Sequence, residues 1–308
     1  MKKEIKTLPV KDICKFKRNE SGLLNRARLH QGWWRACILN EEEGYNPNDN
    51  SRTIYNTINK GHESGKNFLT QEVAEFVKRE LEAWQSKSTG AMESDRLFNN
   101  LLSSQPLAFN FFAPLAMDLD LATKIIKRID PSVIKVTQIC FEHAPKDNHT
   151  KDNTASDVAI FVETKSGPGY IAIESKYTDN FSQKEYDKPS YKELYNEYGS
   201  FKEPYENLIK ANFNQLFRNR LVAESMKREE KSHISSFVFC HPEDSKSIKL
   251  SNLFASYLSE TAGQHKTITY ADFISIWQSL EIDWKSREYS MLLWARYLGS
   301  PLSKELIG

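Results

Sequence analysis

At 308 residues with 39% hydrophobic side chains, the chain is long enough to bury one large core, or a core with an appended subdomain. Lys and Arg number 42 against 41 Asp and Glu, a formal net charge of +1, which argues against histone-like coating of nucleic acid and leaves any such contact to local clusters of Lys and Arg. No apolar run reaches the roughly 18 residues of a membrane span, and Met1-Lys2-Lys3-Glu4-Ile5-Lys6 lacks the hydrophobic region of a secretory signal, so a cytoplasmic protein without membrane contact is expected.

Cys14, Cys37, Cys140 and Cys240 are widely separated and form no Cys-x-x-Cys pair or zinc-finger spacing with histidine, so they read as reduced thiols. Residues 1 to about 22 are charged and weakly periodic, with Lys15-Phe16-Lys17-Arg18 as a small basic cluster of solvated surface. From Leu23 to Leu39 the pattern predicts a helix carrying Arg26, Arg28, Trp33, Trp34 and Arg35, ended by Gly44 and Pro47 in the stretch 40–51. The adjacent tryptophans are expected to anchor a core or a subdomain interface. A second helix starts at Thr70-Gln71-Glu72 and keeps Val73, Phe76, Val77, Leu81 and Trp84 on a helical period. Ser86 to Thr89 reads as a linker, which puts a boundary between an N-terminal helical region and the rest near residue 90. A third helix spans Ser94 to Leu102, and Ser103-Ser104-Gln105-Pro106 restarts the chain with proline at a first helical position.

Val133 to Phe141 is rich in β-branched residues and predicts a strand, followed by a polar loop from His143 to Thr154 in which His143 and His149 read as loop histidines. Ser156 to Thr164 and Tyr170 to Tyr177 are two further apolar runs joined by Ser166-Gly167-Pro168-Gly169, a hairpin signal. With those four residues as the loop, Lys165 pairs with Tyr170, Phe161 faces Glu174, Ala159 faces Lys176 and Asp157 faces Thr178. Alternation then puts Val158, Ile160, Val162, Ile171 and Ile173 on a core face, and Asp157, Glu174 and Lys176 on the other. On that register Asp157 lies diagonal to Lys176 at about 7 to 8 Å.

Past the hairpin, Asp179 to Tyr205 is polar and tyrosine-rich, which suits either a DNA-contacting flap or a plain surface insertion. Asn207 to Met226 predicts a helix with an apolar stripe of Ile209, Phe213, Leu216, Phe217 and Leu221, leaving Gln215, Arg218 and Asn219 on a different side. Ile234 to Cys240 and Thr267 to Tyr270 read as strands. Leu250 to Thr261, Ala271 to Ser279 and Ser290 to Leu298 read as helices, an alternation that fits a mixed sheet flanked by helices. There is no Gly-x-Ser-x-Gly elbow, phosphate loop or Gly-x-Gly-x-x-Gly after a strand, so serine-hydrolase, nucleotide-driven and dinucleotide chemistries lack support.

Two acids and a lysine meeting on one sheet face can hydrolyse a phosphodiester. Carboxylate oxygens suit Mg²⁺, which keeps several of its waters, polarises the phosphoryl oxygen and lowers the pKa of a bound water. Lys176 is expected to contact the attacking water or the scissile phosphate, kept protonated by the neighbouring acids. The bland alternative is a cross-strand salt bridge on a solvated sheet face.

Asp157, a loop, and Glu174-Ser175-Lys176 at the end of an apolar strand resemble the signature of the PD-(D/E)XK nuclease superfamily, which includes most type II restriction endonucleases; Ser156 stands where that signature has proline. Ser103 to Phe112 and Glu174 to Asp179 are similar to a restriction-endonuclease-like branch of it, and the resemblance covers residues from about 95 to 275. It implies an α/β (α+β) fold: a mixed central β-sheet flanked by helices over 91–308, with the tyrosine-rich insertion at about 179–205 and the N-terminal helical region over 1–90. It also implies a metal-dependent endonuclease acting on double-stranded DNA, with Mg²⁺ as cofactor, Mn²⁺ as a substitute, and a role in restriction or prokaryotic defence. Asp157 and Glu174 are then the metal ligands and Lys176 the catalytic lysine. Gln215, with Arg218 as an auxiliary, matches the helix residue that approaches the metal or phosphate, and Glu93 or Glu72 matches a further ligand from a preceding helix. Cutting both strands would favour a homodimer. Two alternatives stay open: a catalytically inactive nucleic-acid-binding module of the same fold, and a nuclease acting on RNA or structured DNA.

Overall fold

The structure, a computed structural model, describes residues 13–15, 21–46, 49–84, 91–301 and 303. The linker expected at Ser86 to Thr89, the boundary near residue 90 and most of the basic cluster at Lys15 to Arg18 lie outside them.

The N-terminal part begins with helix α1 (Gly22–Trp33), where the Ser21 hydroxyl accepts from the Leu24 amide, and continues as a π-helical turn (Trp34–Leu39). Trp33 and Trp34 are buried together with Ile58 and Leu101, so they anchor a core as expected. The region is not wholly helical, because β1 (Glu43–Asn46) and β2 (Asp49–Ile58) form a separate two-stranded antiparallel sheet. Helix α2 (Gln71–Trp84) turns Val73, Val77 and Leu81 into the same apolar core as Leu97, Phe109 and Phe141.

Helix α3 (Ser104–Met117) starts after the Ser103 cap, with Pro106 in its first turn, where no intrahelical donor is required. Pro114 further along offers no amide to the Asn110 carbonyl, and the Tyr289 hydroxyl donates to that carbonyl at 2.8 Å instead. Helix α4 (Leu119–Ile129) follows, with Asp118 capping it.

The central sheet has five strands in the order β3 (Val133–His143), β4 (Ser156–Thr164), β5 (Gly167–Ser175), β6 (His233–Cys240) and β7 (His265–Thr269). The first three run as an antiparallel meander, and β5, β6 and β7 are parallel to one another. Parallel neighbours need crossovers, supplied by α5 (Pro189–Tyr198) and α6 (Asn214–Ser225) between β5 and β6, and by α7 (Ser245–Ser256) between β6 and β7. The chain ends in α8 (Tyr270–Ser279) and α9 (Trp284–Tyr297). This is an α+β protein with a mixed central sheet flanked by helices, a restriction-endonuclease-like arrangement.

Strand alternation divides the core. Val158, Ile160, Val162, Ile171, Ile173, Phe237 and Phe239 pack toward α3 and α8, while Ala159, Tyr170 and Ala172 pack toward Ala223 and Met226 at the end of α6. The stretch expected as a surface flap or insertion contributes buried side chains instead: Phe181, Tyr191, Leu194, Phe201 and Tyr205 form a second cluster with Phe217, Val238 and Phe254.

The hairpin register differs from expectation. Thr164 pairs with Gly167, Phe161 with Tyr170 and Val158 with Ile173, so the turn is the two residues Lys165-Ser166 rather than four. Gly167 takes φ 119°, a conformation open to glycine, and Pro168 enters the strand opposite Glu163. Tyr170 therefore meets Phe161 rather than Lys165, and Glu174 lies beyond Phe161 at the open end. A slip of an even number of residues leaves every apolar side chain on its expected face. Among the described residues, no helix is long and apolar enough to cross a membrane.

Candidate active site

Glu174 and Ser175 close β5, and Lys176 follows at the point where the strand leaves the sheet. The Lys176 amide donates to the Phe239 carbonyl at 2.8 Å, and the Tyr270 hydroxyl donates to the Lys176 carbonyl, so the backbone there is fixed by β6 and α8. Extending the pairing of Val158 with Ile173 by one step brings Asp157 opposite Glu174. The Ser175 amide donates to Asp157 Oδ2 at 2.7 Å, which ties the aspartate to the peptide between the glutamate and the lysine.

Lys176 Nζ meets Glu174 Oε1 at 2.6 Å, and both side chains are under 10% exposed. Helix α6 completes the arrangement through residues one turn apart. Gln215 Nε2 donates to Glu174 Oε1 at 2.7 Å, Asn219 Nδ2 donates to Glu174 Oε2 at 2.5 Å, and Gln215 Oε1 accepts from Lys176 Nζ at 3.4 Å and from the Ser182 amide at 2.8 Å. The Phe181 ring lies under the ammonium, with Nζ 4.7 Å from its centroid.

Burial raises the Asp157 carboxyl well above its ordinary value, and the Glu174 and Glu142 carboxylates add to this against the opposing Lys176 charge and the Ser175 amide. Burial works against the Lys176 ammonium, yet Glu174 and Asp157 outweigh it and hold the amine above its usual value, so it stays protonated.

Glu142 was not singled out by sequence. It sits in β3 at φ 45°, accepts from Gln105 Nε2 at 2.8 Å and from the Ala91 amide at 3.3 Å, and burial raises its carboxyl. Asn219 had been visible only as part of a polar helix side. Arg218, which the resemblance placed near the phosphate, turns away: its guanidinium meets Thr154 Oγ1 at 2.6 Å and Asp152 Oδ2 at 3.4 Å and covers the Tyr186 ring. Glu72 is paired with Lys285 on the surface, beside a separate cavity of about 310 Å³ lined by Val73, Leu121 and Trp277. Glu93 is exposed, and its amide rather than its carboxylate approaches Gln105, at 3.5 Å. His143 bonds the Tyr170 hydroxyl at 3.1 Å and His149 bonds Arg228.

Among the described residues, no three His, Cys, Asp or Glu side chains group closely enough to enclose a metal ion. The donor set nevertheless suits a hard divalent cation: its ionisable ligands are oxygens, and like-charge crowding at Asp157 is relieved by added positive charge.

A mixed sheet that carries an aspartate on one strand and Glu-x-Lys at the end of the next, capped by a helical glutamine, defines a restriction-endonuclease-like protein. A family model described as the PD-(D/E)XK nuclease superfamily matches residues 18–299, and the chain belongs to that superfamily. Its members are generally nucleases that use divalent metals. No curated protein and no solved structure matches the chain.

Proposed function

We propose that the protein is a divalent-cation-dependent endonuclease that hydrolyses DNA phosphodiester bonds at the open end of the β4–β5 hairpin. The observation that carries this reading is the Asp157 carboxylate held on the Ser175 amide beside the buried Glu174–Lys176 pair. Asp157 and Glu174 would hold the ion, Mg²⁺ or Mn²⁺. A cation bound there supplies Lewis-acid polarisation of the phosphoryl oxygen and lowers the pKa of a coordinated water.

The chain's own groups do the rest. Lys176, kept charged by its carboxylates, stabilises negative charge growing on the phosphoryl oxygens. Gln215 fixes Glu174 and Lys176 relative to each other because one amide group bonds both. Asn219 holds the second Glu174 oxygen, which limits rotation of the carboxylate. A cleft of about 720 Å³ begins at Tyr177 to Asn180, directly after Lys176; its lining carries Arg26 and Lys246 together with Asp179, Glu243 and Asp244, and Arg26 is paired with Glu243.

The test is a titration of Mg²⁺ and Mn²⁺ with supercoiled plasmid and the purified chain. Nicking or cutting that requires the metal, stops on chelation and is abolished by Asp157→Ala and Lys176→Ala supports the proposal. Metal-independent DNA binding without cleavage, unchanged by those substitutions, supports a binding module and overturns it. Cleavage of RNA alone keeps the site and changes the substrate.

A further inference from the structure

The acid row of the sheet is longer than the superfamily signature requires. Phe141 pairs with Val158 and His143 with Ser156 across β3 and β4, while Val158 pairs with Ile173 across β4 and β5. Glu142 is therefore paired with Asp157, and Asp157 with Glu174, in one row of backbone pairs across three strands; Glu142 leaves that row on the α3 side, yet its charge still reaches Asp157 and adds to those that raise the Asp157 carboxyl.

Ordinary alternation would turn Glu142 away from the face that Phe141 occupies. It does not. Phe141 stacks on Phe109 of α3 with ring centroids 4.0 Å apart, and Glu142 bonds Gln105 of the same helix at 2.8 Å, whereas His143 turns to Phe161 and Tyr170 on the other face. The left-handed backbone at Glu142 makes this possible, a conformation that a non-glycine residue keeps only when its surroundings enforce it. Gln105 is the enforcing group: buried, it donates to Glu142 and to the Ala91 carbonyl at 2.6 Å and accepts from the Glu93 amide.

Holding a third acid here is unfavourable unless positive charge is added. When ionised, three carboxylates against the single Lys176 ammonium leave two negative charges, which one divalent cation cancels. Among the described residues no three carboxylates group closely enough to enclose an ion, and Mg²⁺ keeps several of its waters, so Glu142 would hold water of a bound cation rather than the cation itself.

We propose that Glu142, set in place by Gln105, is a positioning residue of the cation site that orients metal-bound water beside Asp157. The inference rests on the nuclease reading of that site. Its test is Mg²⁺ and Mn²⁺ binding by titration calorimetry, with thermal melting in the presence and absence of the ions, on the full chain and on Glu142→Gln, Gln105→Leu and Asp157→Asn. Outer ligands of a metal are commonly worth about 10- to 100-fold in affinity, so E142Q is expected to weaken cation binding by at least about 10-fold. Its metal-free melting temperature should equal or exceed that of the wild type, because a crowding charge has gone, and Q105L should lower cation affinity in the same direction.

Cation affinity in E142Q equal to wild type overturns the proposal. So does a metal-free loss of stability with an unchanged increment on adding metal, the mark of a purely structural residue. If E142Q does not fold, Q105L decides, and wild-type affinity there overturns it as well. Asp157→Asn separates the two readings: loss of binding in D157N with wild-type binding in E142Q removes Glu142 alone, whereas wild-type binding in D157N removes the nuclease reading too.

Discussion

The Asp157 carboxylate accepts a hydrogen bond from the Ser175 amide at 2.7 Å, so an acid on one strand is anchored to the peptide that separates the glutamate and lysine of the next. Asp157→Asn retains an oxygen to accept that bond and loses only the charge. Metal-dependent charge stabilisation is worth several kcal/mol, and at about 1.4 kcal/mol per tenfold plasmid cleavage should fall by about 10³-fold. Melting of the metal-free protein should not drop, because burial and the Glu174 and Glu142 carboxylates already disfavour the charged aspartate. A large loss of metal-free stability would show that Asp157 serves the fold instead.

Lys176→Met keeps the aliphatic stem and removes the ammonium from a pair that is almost wholly buried. Cleavage should fall by about 10²- to 10³-fold. Glu174 loses its counter-charge, so denaturant unfolding should show a loss of about 3 kcal/mol. Full activity in this variant would remove Lys176 from the chemistry.

Gln215 and Asn219 grip the two oxygens of one carboxylate from a single helix. Each substitution to leucine should reduce cleavage by about 10-fold or more, since a hydrogen bond to a charged group is worth about 1.5 to 3 kcal/mol. Gln215 should cost more, because it also bonds Lys176 and the Ser182 amide. The double variant should lose less than the product of the singles, with a coupling of at least about 0.5 kcal/mol. Strict multiplicativity would mean that the two amides do not share Glu174 functionally.

Away from the acids, Asp130 joins α4 to β6 by accepting from Ser132 and pairing with His233 at 3.0 Å. Burial works against its charge, but the bonds from His233 and Ser132 outweigh this and lower its pKa from 3.8 to about 2. A carboxyl with a lowered folded pKa binds fewer protons in the folded state, so its contribution is complete above 3.8 and disappears as pH falls toward about 2. The stability gap between wild type and Asp130→Asn should therefore shrink by about 2 kcal/mol on acidification through that window. A gap that does not change with pH would exclude this linkage.

The hairpin and the sorting of its faces were legible because a period of two survives any even slip in register. The turn was not. Gly167-Pro168-Gly169 carries strong loop chemistry, yet Pro168 lies in β5, where its carbonyl accepts from the Ser232 amide at 2.8 Å. Glu142 was hidden for a different reason: it falls just past the expected end of its strand at Phe141, and a left-handed residue there reverses the alternation that extended backbone would give. Helical spacing put Gln215 and Arg218 near one another on α6, but spacing does not reveal that Asp152, folded over from the loop before β4, captures the arginine. The tyrosines after residue 179 read as surface because lysines and glutamates surround them, and the rings of Tyr191 and Tyr205 pack inward while those charged neighbours stay outside.

Phe181 presses its ring against the ammonium of Lys176, and the next residue is pinned through Ser182 to Gln215. On the proposed reading, the glutamine that holds Glu174 and Lys176 also tethers this aromatic cover, so Gln215→Leu would loosen the cover at the same time as it slows cleavage.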